Sequence, residues 1–180
     1  MIKMTLEHHK NRSLILLTAI LIFLAAAAHA APIRTVTAKI TKISDGDTVQ
    51  AVTPEGTRLK VRLYGIDAPE TPKGSKPGEP FGNASRNYLA SLVGQRSVRV
   101  EILDIDRYRR MVAVLWLGER NVNQEMISAG MAEAYVEYLK QPYRAPFIRA
   151  EQEAKANGRG IWSQGSRYER PSQYRKRMGS

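Results

Sequence analysis

The chain contains no cysteine, and its three histidines, His8, His9 and His29, all fall within the first thirty residues. If that segment is removed, neither imidazole nor thiol remains. This excludes Ser-His-Asp and Cys-His catalysis, zinc centres built on imidazole or thiolate, and any mechanism with a histidine base or nucleophile. Disulfides are excluded as well, so stability rests on the core alone. The chemistry left belongs to carboxylates, hydroxyls, amines and guanidinium groups.

Long apolar runs are also scarce. The single one, Leu14 to Ala28, follows Lys3, Lys10 and Arg12 and leads into Ala28-His29-Ala30, a small-x-small cleavage pattern. It reads as a secretory signal over residues 1–30, placing the mature protein in the periplasm or outside the cell. The alternative is an uncleaved anchor, since the run is near the lower length limit for a spanning helix. Its alanine-rich end and the lack of a second apolar span favour cleavage, with no stable membrane association afterwards. The remaining 150 or so residues can bury one adequate core, so one domain is expected, as a monomer.

One sign of charge dominates: 28 Lys and Arg stand against 17 Asp and Glu. Loss of the leading segment removes only Lys3, Lys10, Arg12 and Glu7. A basic exported domain attracts polyanions, and nucleic acid, acidic lipid and acidic cell-wall polymer all qualify on charge alone.

Val36 to Ile43 alternates branched apolar with polar residues, the period of a half-buried strand. Asp45-Gly46 supplies a tight-turn signal. Thr48 to Val52 and Arg58 to Tyr64 make two further strands around a Pro54-Glu55-Gly56 turn. Pro72 to Pro80 is too rich in Pro and Gly for regular structure and reads as a surface loop without a core residue. Gly82 to Val93 is an amphipathic helix with Ala84, Tyr88, Leu89 and Leu92 on one side, stopped by Gly94. Val98 to Leu103 and Met111 to Leu117 are strands separated by a charged connection. Asn121 to Ala129 and Pro146 to Ala156 are helices, the first placing Val122, Met126 and Ile127 inward. Three strands, a helix, two strands and two helices, with no internal repeat, is the order of an α+β fold: a five-stranded OB-fold β-barrel with three helices over residues 31–165. Residues 166–180 carry Arg167, Arg170, Arg175, Lys176 and Arg177 with few apolar residues and read as a disordered tail, equally an electrostatic arm or a solubilising end.

Chemistry concentrates in Asp45-Gly46-Asp47-Thr48, Arg62 and Asp67-Ala68-Pro69-Glu70-Thr71. A turn after the first strand and a loop after the third can lie together at one end of a meander, which would gather Asp47, Asp67 and Glu70. Asp45 is read as the turn former. Three close carboxylates repel unless a cation compensates them, and oxygen ligands without His or Cys select a hard ion such as calcium or magnesium.

The segments ISDGDTV, VRLYGIDAPET, DRYRR and GRGIW, in that order across Thr35 to Ser163, resemble the motifs of the thermonuclease, or staphylococcal-nuclease-like, family. The resemblance implies a calcium-dependent phosphodiesterase that cuts DNA and RNA with little sequence preference and leaves 3'-phosphate ends. It implies calcium ligands at Asp47, Asp67 and the main chain of Ala68, with Glu70 as the carboxylate acting on the attacking water. Arg62 and Arg110 match the arginines that hold the scissile phosphate. Tyr135 and Tyr138 match an aromatic pair by the nucleotide pocket, with core packing as the alternative for each. One departure stands out: Arg109 occupies the place of the family's usual Gly, so Arg109 and Arg110 compete for the phosphate role. A catalytically silent OB-type module that binds nucleic acid is the competing reading, and the complete acid and arginine set argues against it. A basic envelope protein for acidic polymers would explain the charge but not the carboxylates.

Overall fold

The structure, a computed structural model, describes residues 31–178. The expected signal segment and its histidines lie outside the described residues. The alternation seen from Val36 extends to a twelve-residue strand, β1 (Arg34–Asp45), which turns at Gly46 and Asp47 into β2 (Thr48–Val52). β3 (Arg58–Leu63) follows, then the two-residue β4 (Ile66–Asp67). After helix α1 (Gly82–Val93) come β5 (Ser97–Ile105), β6 (Met111–Leu117) and the short β7 (Arg120–Asn121). Helix α2 (Val122–Ser128), β8 (Glu133–Ala134) and helix α3 (Arg144–Ala156) complete the expected element order, with α3 beginning two residues before Pro146.

The sheet order is β3-β2-β1-β5-β6-β7, and a parallel pairing of β3 with β6 closes it. Five long strands therefore make the expected barrel, while β4 pairs with β8 outside it. Ile40, Val49, Val61, Leu63, Val100 and Leu115 fill the interior at 1% exposure or less, each burial stabilising by roughly 1.5–3 kcal/mol. Period-2 alternation sends the intervening side chains, Lys39, Gln50, Lys60 and Arg99 among them, to solvent. The closing seam has its own clamp. Buried Asn123 on α2 donates to the carbonyls of Tyr64 (2.9 Å) and Ala113 (3.1 Å) and accepts from the Leu115 amide (3.0 Å).

Val122, Met126 and Ile127 point inward as expected, below an Asn121 cap that accepts the Gln124 amide. Helix α1 is rotated from its expected face. Ala84 is exposed, and the buried line is Gly82, Ser85, Leu89 and Val93. The cause is close packing on the loop that carries Glu70: a Cβ on Gly82 would run into the Glu70 carbonyl, and the Ser85 hydroxyl donates to Met131 O (2.6 Å). The Pro72–Pro80 loop is mostly exposed, but it does bury one residue, Glu79.

The tail departs most from expectation. Far from lacking structure, residues Gly160–Arg167 form 3-10 turns and Pro171–Arg177 form a further α-helix, α4, the fourth among the described residues. Pro171 in the first turn suits helix initiation, because its missing N–H is one that no helix start can satisfy internally. Polar contacts order the segment. Tyr168 Oη donates to Glu133 Oε2 (2.8 Å), and Arg170 Nε reaches both oxygens of the same buried carboxylate (3.0 and 3.1 Å). No helix among the described residues is long and apolar enough to cross a membrane.

Candidate active site

The β1–β2 turn and the segment after β3 do meet at one end of the barrel. Thr48 pairs with Arg62 across β2 and β3, and the Leu63 amide donates to Asp47 O (2.8 Å), which sets Asp47 beside Arg62. β4 then places Asp67 opposite Glu133 on β8. The turn glycine is required by space: a Cβ on Gly46 would collide with Ser85 Oγ and Ala68 Cβ, so α1 could not seat against the turn. Asp45, read as the turn former, also holds Lys73 Nζ at 3.2 Å.

Arg62 is the hub. It forms ion pairs with Asp47 Oδ2 through Nη1 and with Asp67 Oδ1 through Nη2 (3.0 Å). Asp67 is fully buried, and Asp47 nearly so. Asp47 is held further by the Ala68 amide on Oδ2 (2.9 Å) and the Thr48 hydroxyl on Oδ1 (3.0 Å). Burial pulls the Arg62 guanidinium below its ordinary range, Asp67 pushes it back, and Arg110 adds to the lowering. Arg110 is thus within electrostatic reach of Arg62, although its own contacts lie elsewhere.

Glu70 is the most open of the acids, with 26% of its side chain exposed. Its oxygens meet Lys73 Nζ (2.6 Å) and Arg175 Nη1 (3.4 Å). Its amide donates to Glu79 Oε1 (3.1 Å), and its carbonyl accepts the Glu79 amide (2.9 Å). Burial pushes the Glu79 carboxyl up to about 7. Burial likewise raises Glu133, against the opposing pull of Arg170 and Tyr168.

Arg110 stands immediately before β6, with Nε on Asp106 Oδ2 (2.6 Å) and its amide on Asp106 Oδ1 (2.9 Å). Arg109 has φ 60°, in the left-handed region, and its side chain is exposed with no partner among the described residues. The replaced glycine therefore keeps a glycine-like backbone. Tyr135 and Tyr138 form an edge-to-face pair with centroids 4.6 Å apart. Tyr138 is 60% exposed, and Asp67 is among the charges that raise the Tyr135 hydroxyl, after burial and Tyr138.

The structure thus gathers Asp47, Arg62, Asp67, Ala68 and Glu70, with Tyr135 near Asp67 and Arg110 held to one side by Asp106. Sequence reading missed Lys73, Glu79, Glu133 and Arg175. Arg175 Nη2 reaches Asp67 Oδ1 (3.0 Å) and Oδ2 (2.8 Å) from α4. The available signal was Arg170-Pro171, a helix start, ahead of the basic run.

A closed five-stranded barrel carrying buried acids bridged by an arginine defines an OB-fold protein with a polar site at one barrel end. Residues 60–164 match the model of the family described as staphylococcal nuclease homologue. The chain is 37% identical over 166 residues to a Haemophilus influenzae protein named "Uncharacterized endonuclease", covering 92% of this chain and 86% of that one. It is 33% identical over 166 residues to "Probable endonuclease LCL3" of Clavispora lusitaniae, covering 77% and 71%. A rice protein named "Probable staphylococcal-like nuclease CAN3" is 34% identical over 119 residues, 66% of this chain and 29% of the relative. The chain belongs to the staphylococcal nuclease homologue family.

Proposed function

We propose that this protein is an exported nuclease that hydrolyses phosphodiester bonds of DNA and RNA with little sequence preference and depends on calcium. The observation that carries the reading is the buried pair Asp47 and Asp67 bridged by Arg62, with the more open Glu70 beside them. The donor chemistry fits a hard divalent cation: the acids supply only oxygens, and burial penalises their charge unless a cation accompanies it. Among the described residues no group of three acids is arranged to hold a metal ion, so the ligand set rests on two carboxylates and a main-chain oxygen, with Arg62 now on both carboxylates and Arg175 on Asp67. Asp47, Asp67 and the main chain of Ala68 would hold calcium, which when bound supplies Lewis-acid polarisation of a phosphate oxygen.

The chain's own groups do the rest. Glu70 is open enough to meet a water and accept its proton as the oxygen attacks phosphorus and the ester bond from phosphorus to the leaving sugar oxygen breaks, that oxygen taking a proton from solvent. Arg62 presents a planar fork to the phosphoryl oxygens as negative charge grows, and Arg110, released from Asp106, adds a second. The exposed Tyr138 and its partner Tyr135 offer ring faces on which a base or sugar can pack without sequence readout.

The test is digestion of plasmid DNA and of RNA with calcium, with magnesium and with chelator. Cleavage of both polymers in calcium and none in chelator is expected. Full activity in excess chelator would refute the calcium requirement, and no cleavage under any condition would turn the reading to a silent nucleic-acid-binding module.

A further inference from the structure

Arg175 lies beyond residues 60–164, the part of the chain that matches the family model, yet it makes the most complete contact to the deepest acid of the site. Its Nη2 is shared by both oxygens of Asp67, while Nη1 touches Glu70 Oε1. The same oxygens are the ones a cation at Asp67 would need. With Arg62 and Arg175 both on Oδ1, that oxygen has no lone pair left for a metal ion, and the Arg175 charge repels a divalent ion from the position that remains on Oδ2.

The charges point the same way. Asp45, Asp47, Asp67 and Glu70 face Arg62, Lys73 and Arg175, four acids to three bases, so these groups carry one negative charge in excess with α4 docked. A divalent cation added beside Arg175 would turn that to one positive charge in excess; exchanged for Arg175, it would bring these groups to neutrality.

The anchorage of the segment is divided in a way that permits exchange. Tyr168 and Arg170 are tied to buried Glu133, which stays outside the exchange. Past that tie, α4 is seven residues long. Among the described residues its other polar link to the body is the Tyr174 hydroxyl on the carbonyls of Pro77 (3.0 Å) and Gly78 (3.4 Å), and Pro171 is its one buried residue. Arg177 turns back on Glu169 of its own segment.

We propose that α4 is a built-in strap whose Arg175 competes with a divalent cation for Asp67, so that loading the site with calcium releases the helix. This inference rests on the calcium reading above and adds a regulated step to it: cation affinity is set partly by the chain's own C-terminal segment.

The probe is calcium alone, titrated calorimetrically into the full chain and into Arg175→Gln and Arg175→Lys. Hydrogen exchange of residues 171–178 is followed with and without calcium. Loss of a partly buried, charge-assisted fork should tighten calcium binding by about ten-fold or more in Arg175→Gln. Lys keeps the charge and loses the fork, so Arg175→Lys should also bind more tightly than the parent, by less. Calcium should speed exchange in 171–178 of the parent. An Arg175→Lys affinity equal to the parent's, or exchange in 171–178 unchanged by saturating calcium, overturns the strap while leaving the nuclease reading intact. Calcium bound by none of the three chains overturns both. Should Arg175→Gln fail to fold by circular dichroism, the lysine variant and the parent's exchange decide the matter.

Discussion

Arg109 offers a perturbation whose sign and size follow from the backbone alone. Its φ of 60° puts an L-residue in the left-handed region, where Cβ crowds the following carbonyl at a cost of roughly 1–2 kcal/mol. The turn is held by other atoms. The Arg109 amide donates to Asp106 O (2.8 Å), the Asp106 amide donates to Arg110 O (3.0 Å), and the Asp106 carboxylate takes the amides of Tyr108 and Arg110 (both 2.9 Å). Arg109→Gly should therefore keep the turn and remove the crowding. Glycine's extra freedom in the unfolded chain returns about 0.5–1 kcal/mol of the gain. The net is a stabilisation of about 0.5–1 kcal/mol, a rise in Tm of about 1–4 °C for a domain of this size. Arg109→Ala is the control: it removes the charge but keeps the strained φ, so its midpoint should stay within about 0.5 kcal/mol of the parent. Urea denaturation of the three chains measures this. The same variants separate the two arginines in function. With Arg109 exposed and Arg110 within electrostatic reach of Arg62, Arg109→Gly should leave kcat on a short substrate nearly unchanged. Arg110→Ala should lower it by about 10²- to 10³-fold, by analogy with loss of one oxyanion donor. Equal stabilities of the Gly and Ala variants would refute the strain argument. A kcat loss confined to Arg109 would move the phosphate role by one residue.

Two further outcomes are expected. Glu70→Gln should lower kcat by about 10²- to 10⁴-fold with calcium affinity largely retained, whereas Asp47→Ala should weaken calcium binding itself; parent-like turnover in Glu70→Gln at saturating calcium would remove the base assignment. Glu79, raised from the ordinary 4.5 to about 7, is held as the neutral acid by the fold, so its contribution is fully present below pH 4.5 and is lost as pH rises through about 7. Glu79→Gln should thus gain stability over the parent by up to about 3 kcal/mol at pH 8 and little at pH 4; parallel curves from guanidinium denaturation at the two pH values would show that Glu79 is not the titrating group.

The barrel was readable in the sequence because its information is local. Alternation at period 2 over β1, β2 and β3 names the residues facing the core, and the turn signals at Gly46 and Gly56 set where the chain reverses. With the meander legible, so was the meeting of Asp47 with Asp67, since both sit at strand ends brought together by antiparallel pairing. Residues 1–30, by contrast, lie outside the described part, so the export reading rests on sequence pattern alone. Tertiary structure decided what short-range pattern cannot encode. The rotation of α1 follows from the contact of Gly82 with the Glu70 carbonyl, and burial of Glu79 follows from its backbone pairing with Glu70 within an otherwise exposed loop. The tail looked disordered because order was sought in apolar residues, whereas it is held by Tyr168, Arg170 and Arg175 on Glu133 and Asp67. A charge pair between residues 108 positions apart has no period and no local partner. It exists only once the barrel has buried the acid that the arginine then neutralises.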